Sequence, residues 1–438
     1  MKIFICESEF PTHYHFIQHL LPAFSRQFEQ VVVGVMESAD SDPHYLSTIK
    51  HYEKLPNVQV LKTFETVPTI TDTQTRELKR ISVRAQNFRY IEQYVEQHHV
   101  DHLIVLSGDM LIPLMAEFIS STPKSRFAQT KLHIGVHWLM PLQLSSQGNV
   151  SAVFNDNLVN KEKENNLHIN NHQRQIEALL KISPKSLMFQ NILALEKFQK
   201  YFPELYQNCY LNPVPIEVFK PVEKEKARAY FDIPIEGRLI GFTGSIQKRK
   251  GIPLFLEAFK SAPLKQTDRA LLIGPFDDYE IQGLVSLEYQ DLVDEGRLII
   301  RNKTMDAHSL HMAISSFDVL ICNITKHQWS SDMALRAMVA EVPILVSDEE
   351  WFKYMVSEFR IGETIPKPHN PKNVAIHIVK SLAGSSDYLP SLESRKIVAF
   401  NQPENYAATL IAAVTGSLNS GELGKIVQWP TNSILPTS

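Results

Sequence analysis

Short apolar runs alternate with amphipathic stretches along most of this chain, and that alternation restricts its fold more than any other feature. In the first half the runs cover 2–6, 30–35, 102–107, 132–137 and 186–190, and in the second half 238–244, 270–275, 297–302, 318–323 and 343–348. The clearest helical pattern covers 76–98, with apolar residues at Leu78, Ile81, Val83, Phe88, Ile91 and Val95. Apolar runs separated by helical patterns are typical of parallel sheets flanked by helices.

A proline-rich segment, NPVPIEVFKPVEK at 212–224, separates the two series of runs. Pro213 and Pro215 bracket a single residue, and proline favours extended backbone in the residue before it, as expected at a hinge. The sequence therefore predicts an α/β protein with two Rossmann-like domains, over 1–211 and 212–399. Ligands of open α/β sheets bind beyond the carboxyl ends of the strands, so two facing domains place a site in the cleft between them.

Composition excludes several classes of protein. The 438 residues suffice for two domains, and the net charge of −4 provides no basic field for binding nucleic acid. Three cysteines, Cys6, Cys209 and Cys322, lie far apart, which argues against a disulfide framework or a zinc site and favours a reducing compartment. The N-terminal run is too short for a signal peptide, and no apolar stretch approaches the roughly 20 residues of a membrane span. We therefore expect a cytoplasmic protein.

Two segments have a different character. Residues 143–171 are polar and rich in asparagine, and they form either a mobile loop at the cleft or a disordered insertion. The C-terminal 417–438 shows no periodicity, which predicts a loose tail.

The sequence GFTGSIQKRKG at 241–251 is the strongest candidate for a binding site. Gly244 ends a predicted strand, where it lets an anion approach the backbone, and Arg249 and Lys250 add positive charge. Gly251 then precedes a predicted helix. A Lys-Arg-Lys run is also common on solvated surfaces, but its place directly after a buried strand favours a phosphate site.

Four motifs in order resemble the C-terminal donor domain of family-four glycosyltransferases, which have the GT-B architecture. They are GSIQKRKG followed by a helix, then LLIGP, then NKTMDAHSLHMAISSFDVLICN, and then LRAMVAEVPILVSDEEW. NPVPIEVFKP is similar to the interdomain linker of that family, and 400–416 is similar to its last helix, which crosses back to the N-terminal domain. The resemblance is strong over 208–415. Over the first 200 residues it depends on the order of strands and helices and on His137.

The resemblance implies a role for individual residues. Lys250 matches the lysine that neutralises the donor diphosphate, and Gly244 matches the glycine of that loop, with Ser245 where many members have arginine. Other implied donor contacts are Gly274 and Pro275 near the nucleotide, Asn302 to Thr304 beside the base, and Ser330 and Ser331 at a helix N-terminus that cradles phosphates. His137 matches a histidine near the transferred sugar, and its alternative is a polar group at a strand end.

The main departure from the family concerns two glutamates, seven residues apart, that hold the donor sugar and the ribose. Gln328 and Arg336 stand at these positions. Glutamine still donates and accepts hydrogen bonds, whereas arginine only donates and adds a positive charge. The chain is therefore either a variant branch of the family or a non-catalytic copy. An ion pair with Asp332, four residues earlier, is the alternative to donor binding by Arg336.

From the resemblance we expect an enzyme of glycan biosynthesis that transfers a hexosyl or other glycosyl group from a nucleotide-diphosphate sugar. We expect the transfer to retain the anomeric configuration and to need neither a metal ion nor a cofactor. The acceptor is a carbohydrate or another small molecule or lipid, and peripheral membrane attachment and a homo-oligomer stay open. Two alternatives are a silent partner subunit of an active transferase and a nucleotide-sugar epimerase. Asp40 and Asp42 spell a D-x-D motif but lie in a polar loop. We expect a surface or cleft-lining role for His13, His15 and His19.

Overall fold

The computed structural model describes residues 1–8, 13–66, 73–108, 111–136, 177–203, 207–276, 279–325, 330–385 and 388–417. The chain divides into two compact units, here called unit 1 and unit 2. Of the described residues, unit 1 contains those of Met1–Pro215 and of 403–417, and unit 2 contains those of Ile216–Gln402. The sequence predicts these divisions after residues 211 and 399.

Unit 1 is built on a seven-stranded parallel sheet of order β3-β2-β1-β4-β5-β6-β7. The strands are β1 (Lys2–Cys6), β2 (Gln30–Met36), β3 (Val58–Phe64), β4 (His102–Val105), β5 (Lys131–Val136), β6 (Ser186–Phe189) and β7 (Cys209–Leu211). The helices between them are α1 (Tyr14–Gln27), α2 (Pro43–Thr48), α3 (Thr73–Gln97), α4 (Ile112–Ser121), α5 (Arg126–Gln129) and α6 (Ile192–Tyr201). The chain runs outward from β1 to β3 and returns to β4 on the other side of β1. The strand order therefore reverses between β1 and β4.

Unit 2 has a six-stranded parallel sheet of order β10-β9-β8-β11-β12-β13. The strands are β8 (Leu239–Thr243), β9 (Arg269–Ile273), β10 (Leu298–Arg301), β11 (Val319–Asn323), β12 (Ile344–Ser347) and β13 (Gly362–Ile365). The helices are α7 (Lys224–Tyr230), α8 (Ile252–Ser261), α9 (Tyr279–Glu288), α10 (Gln290–Asp294), α11 (Ala307–Ser315), α12 (Asp332–Val339), α13 (Glu350–Phe359), α14 (Pro371–Gly384) and α15 (Leu392–Phe400). Here the order reverses between β8 and β11.

The inner strands of both sheets are buried along most of their length, which explains their largely apolar sequences. In unit 1, β4 is buried at every position, as is β2 after its first residue. In unit 2, β8 and α8 supply much of a core that includes Phe242, Phe255 and Phe259, all fully buried. Aromatic packing of this kind fixes α8 against β8, the strand that leads into GSIQKRKG.

The last described helix, α16 (Pro403–Thr415), belongs to unit 1 although it follows unit 2 in the sequence. It packs against α1. Tyr406 is 1% exposed, and its ring centroid lies 5.7 Å from that of Phe16. The segment that the sequence analysis assigned to a crossing helix therefore completes the core of unit 1.

Three strands were not predicted, namely β3, β7 and β13, and each lies at the edge of its sheet. Edge strands contact one neighbour and bury fewer side chains, so their apolar patterns are weaker. In β7 only Cys209 is buried, and in β13 only Ile365. The predicted apolar stripe of α3 is also shorter than expected, because Leu78 and Ile81 are 64% and 57% exposed.

None of the helices within the described ranges has both the length and the apolar character that crossing a membrane requires.

Candidate functional site

The predicted donor residues of unit 2 meet where the loops after β8, β9, β10 and β11 leave the carboxyl edge of the sheet. Three backbone hydrogen bonds join these loops. Ile246 N donates to Pro275 O at 2.8 Å, Lys303 N donates to Gly274 O at 3.3 Å, and Ile324 N donates to Lys250 O at 3.2 Å. This edge, at the reversal between β8 and β11, is where open α/β sheets bind ligands.

Gly244 and Gly274 bring two of these loops into direct backbone contact. Both have positive φ, at 79° and 145°. A Cβ atom on Gly274 would lie 1.9 Å from the carbonyl oxygen of Gly244, so no side chain fits there. Beside Gly244 there is more room, since a Cβ atom would find its nearest neighbour, Met333 Sδ, at 3.5 Å. The glycines thus leave a stretch of bare backbone at the edge of the sheet.

Lys250 points its ammonium group at this bare backbone. Its Nζ lies 3.9 Å from the position that a Cβ atom on Gly244 would occupy. The other two basic residues of the run are exposed and bond elsewhere: Lys248 pairs with Glu280 at 2.7 Å, and Arg249 Nε donates to Gln247 Oε1 at 2.5 Å. The charge directed toward Gly244 is therefore that of Lys250.

The position of Lys250 is fixed by contacts with the end of β11. Gly251 has φ of 87°, and a Cβ atom there would lie 2.7 Å from Ile324 Cγ1. Thr325 Oγ1 donates to Arg249 O at 2.5 Å. Since Gly251 also begins α8, the turn at Lys248–Lys250 is held from both sides. Neither Ile324 nor Thr325 was singled out from the sequence.

The N-terminus of α12 lies beside the same backbone. Met333, in the first turn of α12, places its Sδ 3.5 Å from the Cβ position of Gly244, and Ser331 Oγ caps the helix by accepting from Ala334 N at 3.3 Å. The first turn of a helix presents N–H groups and a partial positive charge. Lys250 and the start of α12 thus place two sources of positive potential around Gly244, and both favour an anion.

Charges around this site also act on a buried thiol. Burial raises the pKa of Cys322, at the end of β11, while the Lys250 ammonium opposes this shift and the Asp332 carboxylate adds to it. Cys322 is buried and is a free thiol. The thiol stays protonated and neutral, so it adds no charge to the site.

The residues expected near the nucleotide base lie in the loops after β9 and β10. Asn302 Oδ1 accepts a hydrogen bond from Phe276 N at 3.3 Å, which ties the loop after β10 to the turn at Pro275. Asn302 and Thr304 are exposed, and Pro275 is half-buried. The loops therefore present polar side chains to solvent next to the Gly244–Gly274 contact.

Arg336 has a partner that the sequence did not reveal. Its Nη1 donates to Glu217 Oε2 at 2.9 Å, across 119 residues of sequence. Asp332 Oδ2 is farther away, at 3.8 Å from Nε. The Arg336 side chain is 11% exposed, and its Nε has no hydrogen-bond acceptor among the described residues. The arginine is thus largely buried, with its charge balanced chiefly by Glu217.

Two predicted site residues, His137 and Gln328, lie outside the described residues, as do the polar segment at 143–171 and the tail from residue 418. Ser245 and Ser330 are half-buried at the edge of the sheet. The structure thus brings Gly244, Lys250, Gly274 and Ser331 into one region.

The D-x-D sequence in unit 1 has structural partners. Asp40 pairs with Lys50 at 2.8 Å and with Lys62 at 2.9 Å, and these contacts lower the pKa of its carboxyl group. Asp42 Oδ1 accepts from Tyr45 N at 3.1 Å and so caps α2. Over the described residues, no group of three or more His, Cys, Asp or Glu side chains is arranged to hold a metal ion.

No protein-family model matches this chain, and no curated protein matches its sequence. Solved structures are similar over nearly the whole chain. HepE from Anabaena, solved in complex with UDP, has a TM-score of 0.60 and 12% identity, covering 96% of this chain and 99% of HepE. Sucrose-phosphate synthase from Thermosynechococcus elongatus has a TM-score of 0.64 and 14% identity, covering 96% and 100%. WaaG, a glycosyltransferase of lipopolysaccharide biosynthesis, has a TM-score of 0.57 and 15% identity, covering 97% and 99%.

At these identities the similarity establishes the fold. The chain has the GT-B fold, with two Rossmann-like units on parallel sheets of seven and six strands, which confirms the fold class expected from the sequence.

Proposed function

We propose that this protein is a glycosyltransferase that binds a nucleotide-diphosphate sugar at the carboxyl edge of the unit 2 sheet. The observation that carries the proposal is the position of Lys250 Nζ over the bare backbone of Gly244, beside the N-terminus of α12. Room close to the backbone, a cation and helix N–H groups each favour binding of a diphosphate.

The same groups suit the chemistry of transfer. When the bond between the sugar and the diphosphate breaks, negative charge develops on the leaving phosphate oxygen. Lys250 and the N–H groups at the start of α12 would stabilise that charge, and preorganised donors of this kind contribute about 10²–10³-fold in rate each. Ser245, Arg249, Ser330 and Ser331 would complete the phosphate contacts.

The nucleotide would extend from the diphosphate toward the loops after β9 and β10. Gly274 and Pro275 would contact the nucleoside, and Asn302 and Thr304 would lie beside the base. Two solved structures of the GT-B protein HepE contain UDP and UDP-glucose. We therefore propose a uridine nucleotide as the first donor to test.

Further details of the proposal come from the resemblance to family-four enzymes. They are retention of configuration, independence of metal ions and cofactors, and contacts of His137 and Gln328 with the transferred sugar. Arg336 would add a donor contact, with Glu217 as its counter-ion. The acceptor, a carbohydrate or another hydroxyl-bearing molecule, would bind unit 1.

A nucleotide panel tests the donor site directly. UDP, GDP, ADP and CDP are added to the protein at increasing concentration while the melting temperature is followed. A ligand at 100 times its dissociation constant stabilises the folded state by about 2.7 kcal/mol, which is easily measured. If none of the four nucleotides raises the melting temperature, the donor site is wrongly placed.

Turnover with the nucleotide sugar is then measured with and without EDTA. Equal rates support metal independence, and complete loss that Mg²⁺ or Mn²⁺ restores contradicts it. The anomeric configuration of the product, read by NMR, decides between retention and inversion. Any transfer or donor hydrolysis dismisses the silent partner subunit.

A further inference from the structure

A small cavity lies between the sheet of unit 1 and α16, next to the carboxyl ends of β4, β6 and β7. Its lining residues include Ile104, Met188, Gln190, Asn212, Tyr406 and Leu410. All of the residues that line the cavity belong to unit 1, so it is separate from the candidate donor site in unit 2. Three of them carry polar side chains, which a core cavity formed only by poor packing would not need.

The size of the cavity matches a single water molecule. The space open to the centre of a water-sized sphere is about 10 Å³. By the same measure, one buried water needs roughly 10–15 Å³, together with two to four polar partners. Cavities that are genuinely empty have apolar walls. Both the volume and the lining of this cavity therefore favour a bound water.

Asn212 brings a buried polar atom without a partner to this cavity. The residue is 5% exposed, and its backbone N donates to Phe189 O at 2.7 Å. Its side-chain oxygen Oδ1 is buried and has no hydrogen-bond partner among the described residues. A buried carbonyl oxygen without a donor loses the hydrogen bonds that it makes with water in the unfolded chain, which destabilises the fold. A water molecule in the adjacent cavity would supply the missing donor.

Tyr406 and Gln190 provide the other polar groups. Tyr406 is 1% exposed. Burial raises the pKa of Tyr406, and the carboxylate of Glu7, which accepts a hydrogen bond from Ser107 Oγ at 2.6 Å, adds to this shift. The tyrosine hydroxyl therefore stays protonated and can both donate and accept, as can the amide of Gln190. With Asn212 these groups amount to three partners, the typical number for a buried water.

The cavity also lies where the chain leaves unit 1 and where it returns. Asn212 is the first residue of the proline-rich segment, and Tyr406 is in the first turn of α16. Within unit 2 the outgoing and returning segments are hydrogen-bonded directly, because Ile216 N donates to Asn401 O at 3.0 Å. Within unit 1 the cavity separates Asn212 from Tyr406.

We propose that this cavity binds one structural water molecule, which hydrogen-bonds to Asn212 Oδ1 and to the Tyr406 hydroxyl, with Gln190 as its third partner. The water joins the outgoing and returning segments within unit 1, as the hydrogen bond between Ile216 and Asn401 joins them within unit 2. This site is independent of the donor site proposed above, and its test needs no nucleotide.

A crystal structure of the full chain, at a resolution that shows ordered water, tests the site directly. We expect one peak of electron density in the cavity, at about 2.7–3.2 Å from both Asn212 Oδ1 and the Tyr406 hydroxyl. In Asn212→Leu the peak should be absent, because the new side chain fills a similar volume and offers no polar group. An empty cavity in the wild-type protein overturns the proposal.

Thermal unfolding provides the second readout. Tyr406→Phe removes the hydroxyl and keeps the ring that packs against Phe16, so we expect the melting temperature to fall by about 2–4 °C. The same change made in Asn212→Leu should cost nothing, because the water is already lost. Equal losses in the two backgrounds overturn the proposal.

The matched control is Tyr210→Phe in the same unit. The hydroxyl of Tyr210 donates to Gln207 O at 3.5 Å in an exposed position. We expect its removal to change the melting temperature by less than about 1 °C in either background. The electron density of the wild-type cavity decides the proposal even if Asn212→Leu does not fold.

Discussion

Arg336 on α12 donates a hydrogen bond to Glu217, at the start of unit 2, with 2.9 Å between Nη1 and Oε2. The two side chains are 11% and 24% exposed, so solvent screens the pair only in part. The resemblance to family-four glycosyltransferases implied a glutamate at this position, and the arginine found there is paired with a carboxylate from a distant part of the sequence.

Replacing Arg336 by Gln should lower both stability and donor affinity. The variant removes the charged hydrogen bond to Glu217, and a hydrogen bond of this kind contributes about 1.5–3 kcal/mol to the free energy of unfolding. Glu217→Gln is the control, because it breaks the same pair and keeps the arginine. We expect similar urea midpoints for the two variants and weaker donor binding in Arg336→Gln alone. Donor affinity equal to wild type in Arg336→Gln would make the residue purely structural.

Lys250→Ala should abolish most transfer and leave the fold intact. The variant removes the ammonium group that lies over Gly244, and a charged hydrogen bond to phosphate contributes about 1.5–3 kcal/mol. Lys248→Ala is the matched control from the same turn, since Lys248 is exposed and pairs with Glu280. Rates are measured at saturating donor. A loss below about threefold in Lys250→Ala, well short of that energy, would show that the diphosphate binds elsewhere.

Gly274→Ala should destabilise unit 2, because its new methyl group would overlap the Gly244 carbonyl oxygen, and its φ of 145° is unfavourable for alanine. We expect the free energy of unfolding, measured in urea, to fall by about 1–3 kcal/mol, and nucleotide binding to weaken. Gly283 lies in α9 with no atom within 4 Å of its Cβ position, so Gly283→Ala should be neutral or stabilising. Equal stability of the two variants would mean that the loops separate easily.

Two buried histidines of unit 1 should make the protein less stable in acid. His102 Nδ1 lies 2.9 Å from His133 Nε2, and His133 Nδ1 lies 2.7 Å from Ser186 Oγ. Burial lowers the pKa of His102 to about 4 and that of His133 to about 3. In the unfolded chain both titrate near pH 6.5, so below that pH the unfolded state binds protons that the folded state excludes.

Stability should therefore be independent of these groups above about pH 6.5 and should fall as the pH drops toward 4, by up to about 2 kcal/mol per histidine at pH 5. The measurement is urea unfolding at several pH values. His133→Asn should be less stable at pH 7.5 but show a shallower decline between pH 6.5 and 5. A decline as steep as that of wild type would assign the acid sensitivity to other groups.

Removing α16 should prevent unit 1 from folding. Tyr406, Leu410 and Val414 are buried on this helix, and its loss would expose the face of α1 that it covers. A chain ending at residue 418 should keep wild-type solubility and melting temperature. A chain ending at residue 402, which keeps α15 and Ile216–Gln402, should be insoluble or fail to melt cooperatively. A soluble, cooperative product of the shorter chain would show that α16 is dispensable.

Inner strands were predictable from the sequence because both of their faces are buried. Thus β1, β2 and β8 appear as uninterrupted apolar runs. The same reasoning failed at β3, where only the two end residues are buried and the pattern is indistinct. In α3 the apolar residues Leu78 and Ile81 were assigned to the buried stripe on spacing alone, and they are exposed.

The candidate sites show a similar limit. Gly244 and Lys250 were identified because one short loop contains the glycine, the cation and the helix start. Glu217 lies 119 residues from Arg336, and Ser107 lies 100 residues from Glu7. Hydrogen-bonded pairs at such separations depend on the order of the strands in the sheet, and a local sequence pattern does not predict that order.

The position of α16 has a consequence for how the chain is made. The described part of unit 1 is composed of two stretches of sequence with Ile216–Gln402 of unit 2 between them, and its last described helix is synthesised after residue 402. On the ribosome, residues 216–402 of unit 2 emerge as one continuous stretch, so the core that they form can pack before α16 is made. Until α16 is made, the face of α1 that Tyr406 covers stays exposed. The growing N-terminal half therefore exposes an apolar face throughout synthesis of unit 2, and chaperones that bind such faces should engage the nascent chain until α16 leaves the exit tunnel.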